Sequence, residues 1–387
     1  MANELSLNET FFALIRNAVL NTPLLEEIDL SLVPEIVKVA KHHDLSQLIA
    51  YSVIRNNLLE NASPEYNALK QKQLVAISRV IQIEYEQSRI FQALEENKIP
   101  FVVLKGTVIR NLYAESWMRT SCDIDTLIHE SDLEKATEVL KSTLNYKVEG
   151  NKNFHDISLF SPSGVHLELH FCILENNEKL DKELKNVWDY LIPLENYCYG
   201  YQETPEFFLF HHLAHMAYHL LSGGCGIRPF IDLWLIENQS DFDKSTVKKL
   251  LKNCGIEKFA ESASALASYW MTGTDADELC LALEKYVLTG GCYGTERNKI
   301  AVSQAVKGNR FLYILSRIFL PYRNMIILYP WLKKLPFLLP VAEILRWIKT
   351  LNTSKLKRIK TEIETNNSIK ENEKQASSDL MSDLGLL

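Results

Sequence analysis

The chain has 387 residues, 47% hydrophobic and 24% charged, with 42 Lys and Arg against 49 Asp and Glu for a formal charge of -7. This is the composition of a globular chain able to bury a sizeable core, and it excludes full-length disorder, a collagen-like repeat and a small disulfide scaffold. The acidic balance gives no general attraction for nucleic acid or anionic lipid. Residues 1–98 read as an N-terminal helical region: Phe11, Leu14, Ile15 and Val19 recur at helical spacing, glycine is absent, and one long helix is predicted over Pro64–Asn97, stopped by Ile99-Pro100.

Residues 99–175 change texture. Phe101–Leu104 is a short apolar run rich in β-branched residues, and Gly106 then opens a helical stretch to Tyr113. Cys122–Ile128 reads as a second strand. Ser131-Asp-Leu-Glu134 has the form of a capping box before a helix reaching Leu144. Tyr146–Val148, Asp156–Phe160 and Val165–Phe171 read as strands, the last two joined by the turn signal Ser161-Pro-Ser-Gly164. The expected order is β-α-β-α-β-β-β.

Residues 176–350 return to helical patterning, and 351–387 read as a polar, disordered tail rich in Glu, Asn and Lys. Seven scattered cysteines with no Cys-x-x-Cys pair argue against a disulfide framework or structural zinc and fit a reducing cytosol. Met1–Leu5 lacks the features of a signal peptide. A spanning helix needs about 20 mostly apolar residues. The longest stretch free of Asp, Glu, Lys and Arg, Phe207–Ile227, is interrupted by histidines and glycines, so no transmembrane segment and a cytoplasmic location are expected. The apolar 311–348 stretch, broken by basic residues and prolines, reads as helices packed on the core or set against a partner or membrane surface.

The chemistry concentrates in the middle zone. Alternate residues of a strand share a face, so Asp123 and Asp125 stand about 6.6 Å apart at Cα and can share divalent ions. The other reading is an edge strand with both carboxylates in water. Two further Asp-x-Asp pairs, Asp241/Asp243 and Asp275/Asp277, lie in polar surroundings and read as surface. In Val165–His170, strict alternation puts His166, Glu168 and His170 opposite an apolar face, either a third metal carboxylate with neighbours or a half-exposed polar face. Lys105-Gly106 at a strand-to-helix junction suits a phosphate, or is an ordinary turn with a surface lysine. It is not a Walker A loop. Arg119 binds phosphate or pairs with an acid.

Taken in order, Lys105-Gly106, Arg119-Thr-Ser-Cys-Asp123-Ile-Asp125 and Glu168-Leu-His170 resemble the uncharacterised bacterial nucleotidyltransferase family of the polymerase-β-like nucleotidyltransferase superfamily. The close resemblance covers residues 99–172. It implies an α+β fold, a small mixed-sheet nucleotidyltransferase-like core (99–175) flanked by N-terminal (1–98) and C-terminal (176–350) helical regions. It implies Asp123, Asp125 and Glu168 as the catalytic, metal-holding set for two Mg²⁺ ions, and Lys105, Gly106, Thr107 and Arg119 as nucleotide-binding residues. The Gly106-Thr107 turn departs from the usual Gly-Ser or Gly-Gly.

The histidine-rich helix adds a further set. His211, His215 and His219 share a helix face, and Arg228 and Asp232 follow. Together with His170, the residues His215, His219, Arg228 and Asp232 read as pocket residues, or equally as satisfied core groups. The expected function is Mg²⁺-dependent transfer of NMP from an NTP, ATP among the candidates, to an unknown acceptor with release of pyrophosphate. Glu168 is the carboxylate available to help deprotonate that acceptor. A small molecule, a peptide, a protein or a tRNA end all qualify, the last disfavoured by charge. The alternatives are a non-catalytic nucleotide-binding or helical interaction protein, and a zinc-binding helical protein using His211, His215 and His219.

Overall fold

The computed structural model describes residues 6–25, 27–150, 152–292, 294–307, 315, 318–351, 364–369 and 371–387. Helices α1 (Leu7–Val19), α2 (Val33–His42), α3 (Ser46–Arg55) and α4 (Pro64–Glu96) precede the sheet. Ser6 and Glu9 form a reciprocal capping box at α1, and Ser63 with Pro64 starts α4.

The sheet core then runs β1 (Phe101–Val103), α5 (Lys105–Arg110), β2 (Asp123–Ile128), α6 (Leu133–Leu144), β3 (Lys147–Val148), β4 (Asp156–Phe160) and β5 (His166–His170). This is the element order expected from the sequence. The Ser131/Glu134 capping box does not form. Glu130–Asp132 is a 3₁₀ turn, which denies Ser131 the extended backbone of a cap, and Asp132 occupies the cap position without a side-chain bond.

The zone expected to be helical contributes two more strands. After the short α7 (Asp181–Leu184) come β6 (Leu191–Pro193) and β7 (Gly200–Glu203), followed by α8 (Pro205–Leu221), α9 (Arg228–Gln239), α10 (Lys244–Cys254), α11 (Glu257–Thr272), α12 (Glu278–Gly290) and α13 (Glu296–Lys307). The result is a mixed seven-stranded sheet of order β3-β4-β5-β2-β1-β7-β6, in which β2–β5 and β1–β7 are the parallel pairs.

Alternation along the strands decides what each face meets. Phe101, Val103, Ile124, Ile128, Leu167 and Leu169 face a core completed by α4 and α6. Val102 and Leu127 face a second, larger core built from the helices on either side of the sheet in sequence. The β2–β5 part of that second face carries charged residues and stays open as a cleft.

The tail departs from the expected disorder in its last part. Glu371–Asp383 is a helix, and Leu380, Met381, Leu384 and Leu386 are buried in the larger core. Four apolar side chains spaced along Leu380–Leu386 cover one helix face and its end, which outweighs the polar composition around them. Residues 352–363 lie outside the described residues. No helix among the described residues is long and apolar enough to cross a membrane.

Candidate active site

The site begins with register. In the parallel β2–β5 pair, Asp123 stands opposite His166, Asp125 opposite Glu168, and Leu127 opposite His170. Period-two alternation places Asp123, Asp125, His166, Glu168 and His170 on one face, while Ile124, Leu167 and Leu169 are sealed in the core behind them. Potential ligand atoms of Asp123, His166 and Glu168, and of Asp125, Glu168 and His170, lie within 4.8 Å of one another.

The electrostatics fit a divalent cation. Burial, with Asp125 and Glu168 beside it, pushes the Asp123 carboxyl up to about 6. Burial alone would raise Asp125 too. His170 Nε2, 3.2 Å from Asp125 Oδ1, together with Lys105 and Arg119, instead holds it below its ordinary value. His170 also reaches Glu168 Oε2 at 3.5 Å; these two carboxylates overcome the effect of burial and push the imidazole up to about 9. A cation among hard oxygen donors would remove the penalty on Asp123. His166 Nε2 and His170 Nδ1 are buried without a protein partner.

The cationic side of the cleft comes from the start of α5 and the segment before β2. Arg119 is fixed at both ends. Its Nε and Nη2 hold the Asp232 carboxylate at 3.1 and 2.9 Å, and its Nη1 donates to the Gly106 carbonyl at 3.2 Å. Tyr113 donates to the same carboxylate at 2.8 Å. Burial would raise Asp232, but Arg119 holds it low. Asp232 does not line the cleft; it is buried beneath Arg119. The Thr107 hydroxyl is engaged elsewhere, donating to Gln87 Oε1 at 2.6 Å. A Cβ on Gly106 would stand 3.7 Å from Asp125 Oδ2 and 3.9 Å from Arg119 Nη1, so the bare backbone keeps that space open. Burial lowers the Lys105 ammonium, and nearby Glu175 and Asp125 work against that.

Helix α8 and the segment after β5 form another wall. His215 Nδ1 lies 2.6 Å from Glu175 Oε1, and its Nε2 lies 2.9 Å from His219 Nε2. His211 is buried against Glu203 at 2.8 Å. Among the described residues no three-ligand group falls on α8, so the zinc reading of His211, His215 and His219 finds no cluster there. Arg228 donates to the Thr120 carbonyl and to Asp44 Oδ2 at 3.1 Å. Lys105, Gly106, Arg119, Asp123, Asp125, Glu168, His170, His215, His219 and Arg228 all line one cavity of about 430 Å³. That volume lies within the range of small-molecule sites.

A family profile described as an uncharacterised nucleotidyltransferase matches residues 31–272. The chain belongs to this nucleotidyltransferase family. Comparisons with curated proteins and with solved structures return no match. The family's matched span begins within the N-terminal helices and ends with α11, so it takes in every residue of the cleft.

In this nucleotidyltransferase chain Glu175, Asp44 and His155 also line the cavity, and the local sequence pattern does not mark them as site residues. Glu175 ends the apolar run Phe171-Cys-Ile-Leu and carried a weak signal, a lone carboxylate closing a buried stretch. Asp44 belongs to a distant helical turn and carried none. The other Asp-x-Asp pairs are surface features as expected: Asp243 caps α10 and Asp277 caps α12.

Proposed function

We propose that the chain is a polymerase-β-like enzyme that transfers an NMP group from an NTP to an acceptor, releasing pyrophosphate. The observation that carries the reading is the set Asp123, Asp125 and Glu168, three carboxylates on one face of adjacent parallel strands, beside Lys105 and Arg119 in one cavity. Asp123, Asp125 and Glu168 would hold two Mg²⁺ ions, with His166 and His170 at their margin. When bound, such ions activate the attacking oxygen and steady the leaving phosphate.

The chain's own groups do the rest. Lys105 and Arg119 neutralise the triphosphate, and Asp232 fixes the guanidinium plane so that its remaining edge faces the nucleotide. Gly106 allows close approach of phosphate to backbone. The acceptor attacks the α-phosphorus in line, and the bond to the β-phosphate oxygen breaks. A second reading, nucleotide binding without transfer, draws on His170, whose ring already bridges Asp125 and Glu168.

Binding of ATP, CTP, GTP and UTP with and without Mg²⁺, together with pyrophosphate release, tests both. The transfer reading expects Mg²⁺-dependent binding of one NTP, and a loss of release by about 100-fold or more in Asp123→Asn and in Asp125→Asn. Binding indifferent to Mg²⁺ and to both aspartates would overturn it. Binding without release would favour the second reading.

A further inference from the structure

Beyond the nucleotide cleft, one helix shows to solvent the face that a globular helix ordinarily buries. Helices α14 (Tyr322–Leu328) and α15 (Leu339–Leu351) are joined by the 3₁₀ turns Pro330–Lys333 and Pro336–Leu338. Met325, Tyr329, Leu332 and Ala342 give these pieces a small core of their own. The inward side of α15 carries its polar groups. Glu343 is buried and accepts from the Leu320 N–H and from Arg346 Nε, each at 2.8 Å. Arg346 and the Trp347 indole also donate to the Ile318 carbonyl. The outward side is aliphatic: Val341, Ile344, Leu345 and Ile348, spaced i, i+3, i+4 and i+7, are 41–60% exposed. Phe337, one turn before Val341, is 73% exposed. An exposed apolar stripe of this kind marks an interaction surface.

We propose that this face docks on an anionic membrane surface. Charge selects the occupant. From Asn298 to Thr361 the sequence carries one acidic residue, Glu343, and that carboxylate is engaged by Leu320 and Arg346. Lys333 and Lys334 stand exposed ahead of the stripe, and Lys349 is exposed at its end. Aliphatic side chains flanked by lysines match a bilayer surface that is apolar beneath negative headgroups. Trp331 and Trp347, flat rings with one polar edge, suit the same interface. A second copy of the chain fits less well, because self-docking would bring lysines against lysines with no free carboxylate between them. The chain as a whole is acidic, at -7, so the attraction is local to this segment and fades within about 8–10 Å.

Length decides how the face meets the bilayer. Helix α15 has 13 residues. At about 1.5 Å per residue it reaches only about 20 Å, short of the roughly 30 Å hydrocarbon core. Pro330, Pro336 and Pro340 keep the neighbouring apolar residues from extending it into a longer helix. It therefore lies in the interface plane, with the stripe dipping about 5–10 Å and the lysines among the headgroups. The Glu343–Arg346 pair stays on the protein side, away from the lipid. None of the cleft residues takes part, so the docking is independent of the nucleotidyl-transfer reading.

Flotation of the full chain with phosphatidylcholine vesicles, with and without phosphatidylserine, supplies the test. Binding is expected to need phosphatidylserine and to weaken as salt is raised. The double variant Ile344→Glu/Ile348→Glu should bind about 100-fold or more weakly, about tenfold for each aliphatic side chain lost. Lys333→Gln/Lys334→Gln should bind about 25-fold more weakly, about fivefold for each lysine. All four positions are exposed, so both variants should keep the wild-type circular dichroism and melting temperature. Asp123→Asn should float as the wild type does, which separates docking from the chemistry of the cleft. Absence of flotation, equal binding to neutral vesicles, or binding indifferent to both double variants overturns the proposal. A dimer in sedimentation equilibrium that Ile344→Glu/Ile348→Glu dissociates, with no flotation, overturns it too and gives the face to a second copy of the chain.

Discussion

Arg119 and Asp232 are 113 residues apart in the chain and form the best-organised ion pair of the cleft. The Asp232 carboxylate takes hydrogen bonds from Arg119 and Tyr113 and is almost fully buried. Removing one partner of such a pair leaves the other charge buried and unpaired. Asp232→Asn is therefore expected to destabilise the protein by about 3–5 kcal/mol, read in urea unfolding. It should also weaken NTP binding, because Arg119 loses the group that orients it. A change under about 1 kcal/mol would mean that the pair is solvated and merely superficial. Nothing in the local sequence separates this role from that of a pocket residue. Spacing along α9 places Asp232 on a helix face, but only the fold brings Arg119 to it.

At the scale of elements, legibility follows periodicity. Strands β1, β2, β4 and β5 could be read because alternation or β-branched runs mark them, and the carboxylate face followed from the same alternation. Strands β6 and β7 escaped because Leu191-Ile-Pro193 and Gly200-Tyr-Gln-Glu203 are short and carry Pro, Gly, Gln and Glu. Their pairing is fixed by β1, not by their own composition: β7 lies parallel to β1 with Phe101 opposite Gly200. A Cβ on Gly200 would fall 2.7 Å from Tyr197 Cβ and 2.9 Å from Phe101 Cζ. Phe101 is fully buried and stacked on Phe91 at 4.9 Å, so it has little room to give. Gly200→Ala should cost about 1–3 kcal/mol in unfolding measurements, because its Cβ has no room between Tyr197 and Phe101. Equal stability of Gly200→Ala and wild type would show that β7 does not dock as described.

For the whole molecule, the larger core draws side chains from Phe11 in α1 through Val102 and Leu127 in the sheet to Leu386 near the C-terminus. The end of the chain is part of that core, contrary to its polar composition. Leu384 is fully buried, so Leu384→Ala is expected to destabilise the protein by about 2–5 kcal/mol. Trp270, also in this core and stacked on Phe12 at 4.6 Å, gives a fluorescence signal for the transition. No change in the midpoint would restore the disordered-tail reading. A few buried apolar groups can order a polar helix when a preformed surface receives them, and composition averaged over the tail hides those few.

The sequence by itself determined the α+β order of the middle zone, the long α4, and the alternation that aligns Asp123, Asp125, Glu168 and His170, because each depends on local periodicity. Only the tertiary structure decided that Glu175 meets His215, that Asp232 lies beneath Arg119 instead of in the cleft, and that Thr107 turns toward Gln87. Those relations join residues that are distant along the chain, and their geometry is set by how helices pack across the sheet.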